Sequence, residues 1–115
     1  MEVSENETKD LKISEIITMQ QTLQNKYKEK WGEIKPEDGK MHLLYMIGEV
    51  SEVTDIVKKN GEAKVFSDEE IRNHLIEELA DVLMYYGNIL LCYDIKPADL
   101  KKAFVEKFEK NLNRW

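Results

Sequence analysis

From Met41 to Tyr93 the chain carries apolar residues at helical spacing, broken once near Asn60-Gly61, and two pairs of carboxylates stand inside that apolar pattern. One pair is Glu49 and Glu52 in "GEVSEV"; the other is Glu78 and Asp81 in "EELADV". Residues three apart share one face of a helix, so each pair projects together. An ionised carboxylate in an apolar stripe costs on the order of several kcal/mol unless a cation or hydrogen-bond donors meet it. Any fold available to this sequence must therefore bring its helices together in a way that answers for four acids.

The punctuation is sparse. Two Pro and five Gly in 115 residues leave room for long helices and for one ordinary core. Ile13, Ile16, Ile17, Leu23 and Tyr27 recur at helical spacing, with Ser14 near a plausible cap, and residues 31–40 ("WGEIKPEDGK") read as a loop. A second helix is expected from about Met41 to Lys59, ending at Asn60-Gly61 with Lys58 and Lys59 in its last turn. Ser67-Asp68-Glu69-Glu70 has the form of a capping box with Ser67 at the cap, opening a third helix to about Tyr93. "DIKP" breaks the chain, and a fourth helix runs from Pro97 to about Asn113. The expected fold class is all-α, a four-helix antiparallel bundle. Residues 1–11 form a flexible lead-in and residues 12–115 a single domain.

Charge narrows the function. Seventeen basic residues against 23 acidic give a net charge of −6, which disfavours a nucleic-acid polymer as partner. It also makes a phosphorylated substrate awkward without an intervening cation. The lone Cys92 permits no disulfide within the chain. No apolar run approaches the roughly 20 residues of a membrane span, and the acidic start is unlike a signal peptide, so a cytoplasmic protein without membrane contact is expected.

Placing residues at about 100° steps sorts the faces. Leu43, Met46, Ile47, Val50, Val53, Thr54 and Val57 gather on one side of the second helix; Glu49 and Glu52 lie opposite with Tyr45 and Ile56. In the third helix Glu78 falls within the stripe Ile71, Leu75, Val82, Tyr85 and Ile89, with Asp81 at its edge, while Glu77 points away. Two acid pairs on adjacent helices supply a cluster of hard oxygen ligands, which Mg²⁺ prefers and Mn²⁺ tolerates. A di-iron bundle wants Glu-x-x-His, which neither His42 nor His74 provides, and zinc wants more Cys and His than this chain has. For Glu49 and Glu52 alone, a solvated face with surface ion pairs is an equal reading.

Glu49-x-x-Glu52 followed by Glu78-x-x-Asp81 resembles the signature of the all-α NTP pyrophosphohydrolases: MazG-like proteins, dCTP pyrophosphatases, dimeric dUTPases and phosphoribosyl-ATP pyrophosphatases. "EELADVLMYY" (Glu77 to Tyr86) is similar to the family's Glu-Glu-Leu-Ala-Asp-Val segment, and Lys107, Asn111 and Arg114 are similar to a Lys/Asn/Arg-bearing last helix. Two departures stand out: Met46 occupies the place of a further Glu in many relatives, and Phe66 is the only ring in the spacer.

The resemblance implies hydrolysis of a nucleoside triphosphate to monophosphate and pyrophosphate in nucleotide-pool house-cleaning. Mg²⁺ would be held by Glu49, Glu52, Glu78 and Asp81, with Glu52 a candidate to take the water's proton. It implies a substrate-binding role for Tyr85, with core packing as the alternative, and for Lys107, Asn111 and Arg114, whose alternative is a solvated surface. Trp31 could close over a base and Asn88 could hydrogen-bond substrate, or each could serve structure alone. A homodimer or dimer of dimers is expected, in which Tyr45 and Ile56 meet a partner subunit. Two other readings stay open: a phosphoribosyl-ATP pyrophosphatase, and a non-catalytic helical interaction module.

Overall fold

The computed structural model describes residues 9–114; residues 1–8, most of the expected lead-in, and Trp115 lie outside the described residues. Six α-helices follow one another without a strand among the described residues: α1 (Ile13–Lys26), α2 (Lys28–Trp31), α3 (Gly39–Asn60), α4 (Glu62–Ser67), α5 (Glu69–Cys92) and α6 (Pro97–Arg114). The four long helices lie where their periodicity puts them, and the fold is all-α. The short α2 and α4 were not legible, being four and six residues long in stretches dominated by turn residues.

Local chemistry explains the boundaries. The Lys12 N–H donates to Glu15 Oε1 at 2.7 Å, so the cap of α1 is Lys12, two residues before Ser14. A 3₁₀ turn at Pro36–Asp38 leads directly into α3, which therefore begins at Gly39 rather than Met41. At the far end Gly61 adopts φ 83°, a conformation that strains other residues, and Lys58 and Lys59 sit in the last turn. The cap of α5 is Asp68, which accepts from the Ile71 N–H at 3.2 Å, and not Ser67. Ser67 closes α4 instead, its hydroxyl donating to the Ala63 carbonyl at 2.8 Å.

The body of the molecule is α3 packed antiparallel on α5, with α1 against α5. Gly39 lies under the Tyr93 ring, which a Cβ at that position would overlap; further along, His42 is beside Asn88, Tyr45 beside Tyr85, and Glu52 near Glu78. Gly87 lets α1 approach closely, since a Cβ there would stand 3.0 Å from the Gln20 side chain and 3.1 Å from that of Ile16.

The faces of α3 differ from the sequence expectation. Ile56 is buried within the chain, and the Tyr45 ring meets that of Tyr85 while staying 47 % exposed, so the acid-bearing stripe is the one that faces α5. The apolar stripe is the uncovered one: Leu43, Ile47 and Val50 are exposed. The reason is length. Glu49 and Glu52 share their stripe with enough apolar surface at its two ends to hold α5, leaving acids at the centre of a helix pair.

α6 stands apart. It makes no extended packing with the other helices, and every residue from Lys101 to Arg114 is exposed, Phe104 at 72 %.

Candidate functional site

The two acid pairs meet where α3 crosses α5. Glu49, Glu52 and Glu78 each offer a carboxylate oxygen, and the three atoms lie within 4.8 Å of one another. Among the described residues, Glu78 Oε2 is the one buried side-chain oxygen without a hydrogen-bond partner; Oε1 of the same group is 3.5 Å from His74 Nε2, one turn earlier. A carboxylate with one orphaned oxygen, grouped with two further carboxylates, is the donor set of a hard divalent cation, and the residues fit one. Asp81 stands outside this triad, on the wall of the cavity beside it.

The triad lies between two depressions. On one side a cavity of about 720 Å³ is bounded by Glu49 and Asp81, by the rings of His42, Tyr45 and Tyr85, and by Trp31 at the end of α2. Tyr45 and Tyr85 have centroids 5.7 Å apart, and His42 meets Tyr45 edge-on at 5.7 Å. Trp31 stacks on Tyr27 with centroids 4.7 Å apart and remains half exposed. On the other side a depression of about 570 Å³ is lined by Glu52 and Glu78 together with Asp55, Glu70, Lys59 and His74. Its one Lys or Arg among the described lining residues is Lys59.

Burial sets the protonation of the aromatic wall. It pushes the Tyr85 phenol up, an effect reinforced by the negative charges of Glu49 and Asp81, so this hydroxyl stays a donor at neutral pH. Burial pushes the His42 imidazole down against the opposing pull of Asp38, so the ring is neutral there. Cys92, 2 % exposed, is likewise raised by burial and is an inert thiol.

The structure thus gathers Glu49, Glu52 and Glu78, sets Asp81, Tyr85, Asn88 and Trp31 around the adjoining cavity, and leaves three sequence candidates elsewhere. Lys107, Asn111 and Arg114 share a shallow patch on α6 with Lys110 and line neither depression. Sequence reasoning passed over Gln20, Gln24 and His42 as wall residues and Lys59 as the cation beside the acids. The helical register of Gln20 and Gln24, one turn apart, was the available signal.

The MazG nucleotide pyrophosphohydrolase domain matches residues 37–115, the span that holds both acid pairs. The chain belongs to the MazG nucleotide pyrophosphohydrolase family. No curated protein and no solved structure matches it. The MazG domain supports nucleotide pyrophosphohydrolase activity in general; the family is typically metal-dependent, and the Glu49, Glu52, Glu78 cluster accords with that. Among the described residues no helix is long and apolar enough to cross a membrane.

Proposed function

We propose that this MazG chain is a Mg²⁺-dependent hydrolase that cleaves (d)NTPs to (d)NMP and pyrophosphate as nucleotide-pool house-cleaning in the cytoplasm. The observation that carries the reading is the orphaned Glu78 Oε2 within the triad it forms with Glu49 and Glu52. Glu49, Glu52 and Glu78 hold Mg²⁺, or Mn²⁺ in its place, and Asp81 contributes from the cavity wall. When bound, the cation supplies charge neutralisation on the phosphates and Lewis acidity at the reacting phosphorus.

The rest falls to the chain. The aromatic cavity takes the nucleoside, with Tyr85 against base or sugar and Trp31 over the opening. The depression lined by Lys59 takes the pyrophosphate end, which sets the triad at the α–β linkage between them. Glu52 is the exposed member of the triad and has oxygen capacity to accept the attacking water's proton. Tyr85, held protonated, can donate to a phosphate or sugar oxygen.

Assembly is part of the same proposal. The stripe Phe104, Phe108 and Leu112 on α6 is uncovered, as are Leu43, Ile47 and Val50 on α3. Residues 97–114 carry five Lys or Arg against three acids, whereas residues 9–96 carry twelve against seventeen. A second copy offers apolar and charge complementarity to both surfaces, giving a homodimer or a dimer of dimers. It is also the route by which Lys107, Asn111 and Arg114 reach a substrate.

A panel of NTPs, dNTPs and phosphoribosyl-ATP with Mg²⁺, products resolved as monophosphate plus pyrophosphate, tests the reading. Cleavage of phosphoribosyl-ATP alone would move the assignment to that substrate. No turnover on any of them, with no thermal response to Mg²⁺, would leave a helical interaction module.

A further inference from the structure

The cavity beside the triad has an unusual far wall. Among the described residues as many carboxamides are buried as apolar side chains of comparable depth: Gln20, Gln24 and Asn88 are 5 %, 8 % and 5 % exposed, alongside Ile56, Leu90 and Cys92. All three amides line the same cavity. A leucine at any of these positions would serve the contact of α1 with α5 at no desolvation cost, so the amides need a reason.

Their hydrogen bonding supplies one. Gln20 Nε2 donates to Asn88 Oδ1 at 3.0 Å, and Asn88 Nδ2 then faces His42 Nδ1 at 3.5 Å. Asn88 is thereby held from both sides, and Gln20 keeps its carbonyl oxygen and one N–H. Gln24, one turn along α1 and more than nine-tenths buried, makes no side-chain hydrogen bond to any described residue. The wall thus presents one wholly unpaired amide and half of another to the space that the rings of Tyr45 and Tyr85 flank.

We propose that Gln20 and Gln24, with Asn88 fixed behind them, form the base-reading end of the cleft and pair with a nucleobase edge that sets an acceptor beside a donor. That edge is the amidine of cytosine and adenine or the lactam of uracil and guanine, each a complement to a carboxamide. Selection of the base then rests on α1, which lies outside the residues matched by the MazG domain. The inference rests on the nucleotide reading of the cavity but not on turnover.

The experiment uses nucleoside monophosphates in EDTA, which removes the metal and the phosphates beyond the first. Binding of CMP, UMP, AMP and GMP to the full chain is measured by calorimetry against analogues without the exocyclic group of that edge: zebularine monophosphate for CMP and UMP, nebularine monophosphate for AMP and 2-aminopurine riboside monophosphate for GMP. For whichever parent binds, deleting the exocyclic group leaves a buried amide unpaired and weakens binding about ten- to hundredfold. In Gln24→Leu, and in Gln24→Met should that variant fold better, the parent weakens similarly and the penalty for the analogue vanishes, the signature of a paired contact. Equal affinity for parent and analogue, an unchanged parent affinity in both variants, or no monophosphate binding at all overturns the proposal. If triphosphate turnover is absent while this discrimination holds, the hydrolase reading falls and the base-reading wall stands. If turnover is present without discrimination, the reverse follows.

Discussion

Oxygens of Glu49 and Glu78 come within 4.8 Å of each other across the α3–α5 seam. Two full charges at that spacing repel by on the order of 3 kcal/mol at an effective dielectric of about 20. Among the described residues the only ion pair Glu78 forms is with His74, which is charged only when protonated. A divalent cation held by the triad would offset this repulsion. Mg²⁺ should raise the melting temperature by several degrees, and EDTA should reverse the rise. Glu78→Gln should melt higher than the wild type in EDTA, lose most of the Mg²⁺ response and lose nearly all turnover. Glu77→Gln, one position away and exposed, should change none of the three. A Glu78→Gln protein that still gains stability from Mg²⁺ would remove the triad from metal binding.

The position of the triad between two depressions makes a claim about the bond that breaks. The proposed hydrolysis has water attack the α-phosphorus, with the nucleoside on the Tyr85 side and the pyrophosphate on the Lys59 side. Hydrolysis in ¹⁸O-water should label the nucleoside monophosphate and leave pyrophosphate unlabelled. Label in pyrophosphate would place attack at the β-phosphorus, and release of single phosphate with a diphosphate product would end the assignment.

His42 gives a stability prediction with a definite sign. Burial depresses its pKa below 6.5, so at low pH the unfolded chain binds a proton that the folded chain resists. Its contribution to stability is full above the unfolded pKa and is lost as pH falls below about 6.5 toward the folded value. Urea midpoints in EDTA should decline between pH 7.5 and 5.5, and His42→Gln should flatten that decline. An identical decline in the variant would assign it to the carboxylates instead.

Much of this was legible beforehand, and the failures have physical causes. Helical spacing and the acid pairs located α3, α5 and the triad, because a carboxylate in an apolar stripe signals its environment through desolvation cost alone. The face of α3 that packs was not legible. Leu43, Ile47 and Val50 look like core by hydrophobicity, yet α5 packs on the stripe of Tyr45 and Ile56, with Glu49 and Glu52 between them. Hydrophobic pattern cannot tell a core from a subunit interface, since both are apolar. Gln20 and Gln24 were missed for the opposite reason: amides are ordinary on a helix surface, and only their burial makes them informative.

An 18-residue helix standing free in water is marginal even with good propensity, because tertiary packing of an apolar face supplies most helical stability. Here the apolar face exists, Phe104, Phe108 and Leu112 lying four residues apart along it, and none of the described residues covers it. A second copy would cover it and would bring Lys107 and Asn111 toward an acidic partner surface. Sedimentation should therefore show a dimer or larger at micromolar concentration. Phe104→Glu with Phe108→Glu should dissociate it and lower its helical circular dichroism, since an uncovered α6 frays. Lys107→Ala should leave assembly and the Mg²⁺ response intact and raise KM for triphosphate about tenfold if the ammonium reaches a phosphate oxygen, a charged contact being worth on the order of 1.5 kcal/mol or more. Unchanged kinetics would return Lys107 to solvent. A stable wild-type monomer with full helicity would mean that α6 needs no cover, and the assembly proposal would fall with it.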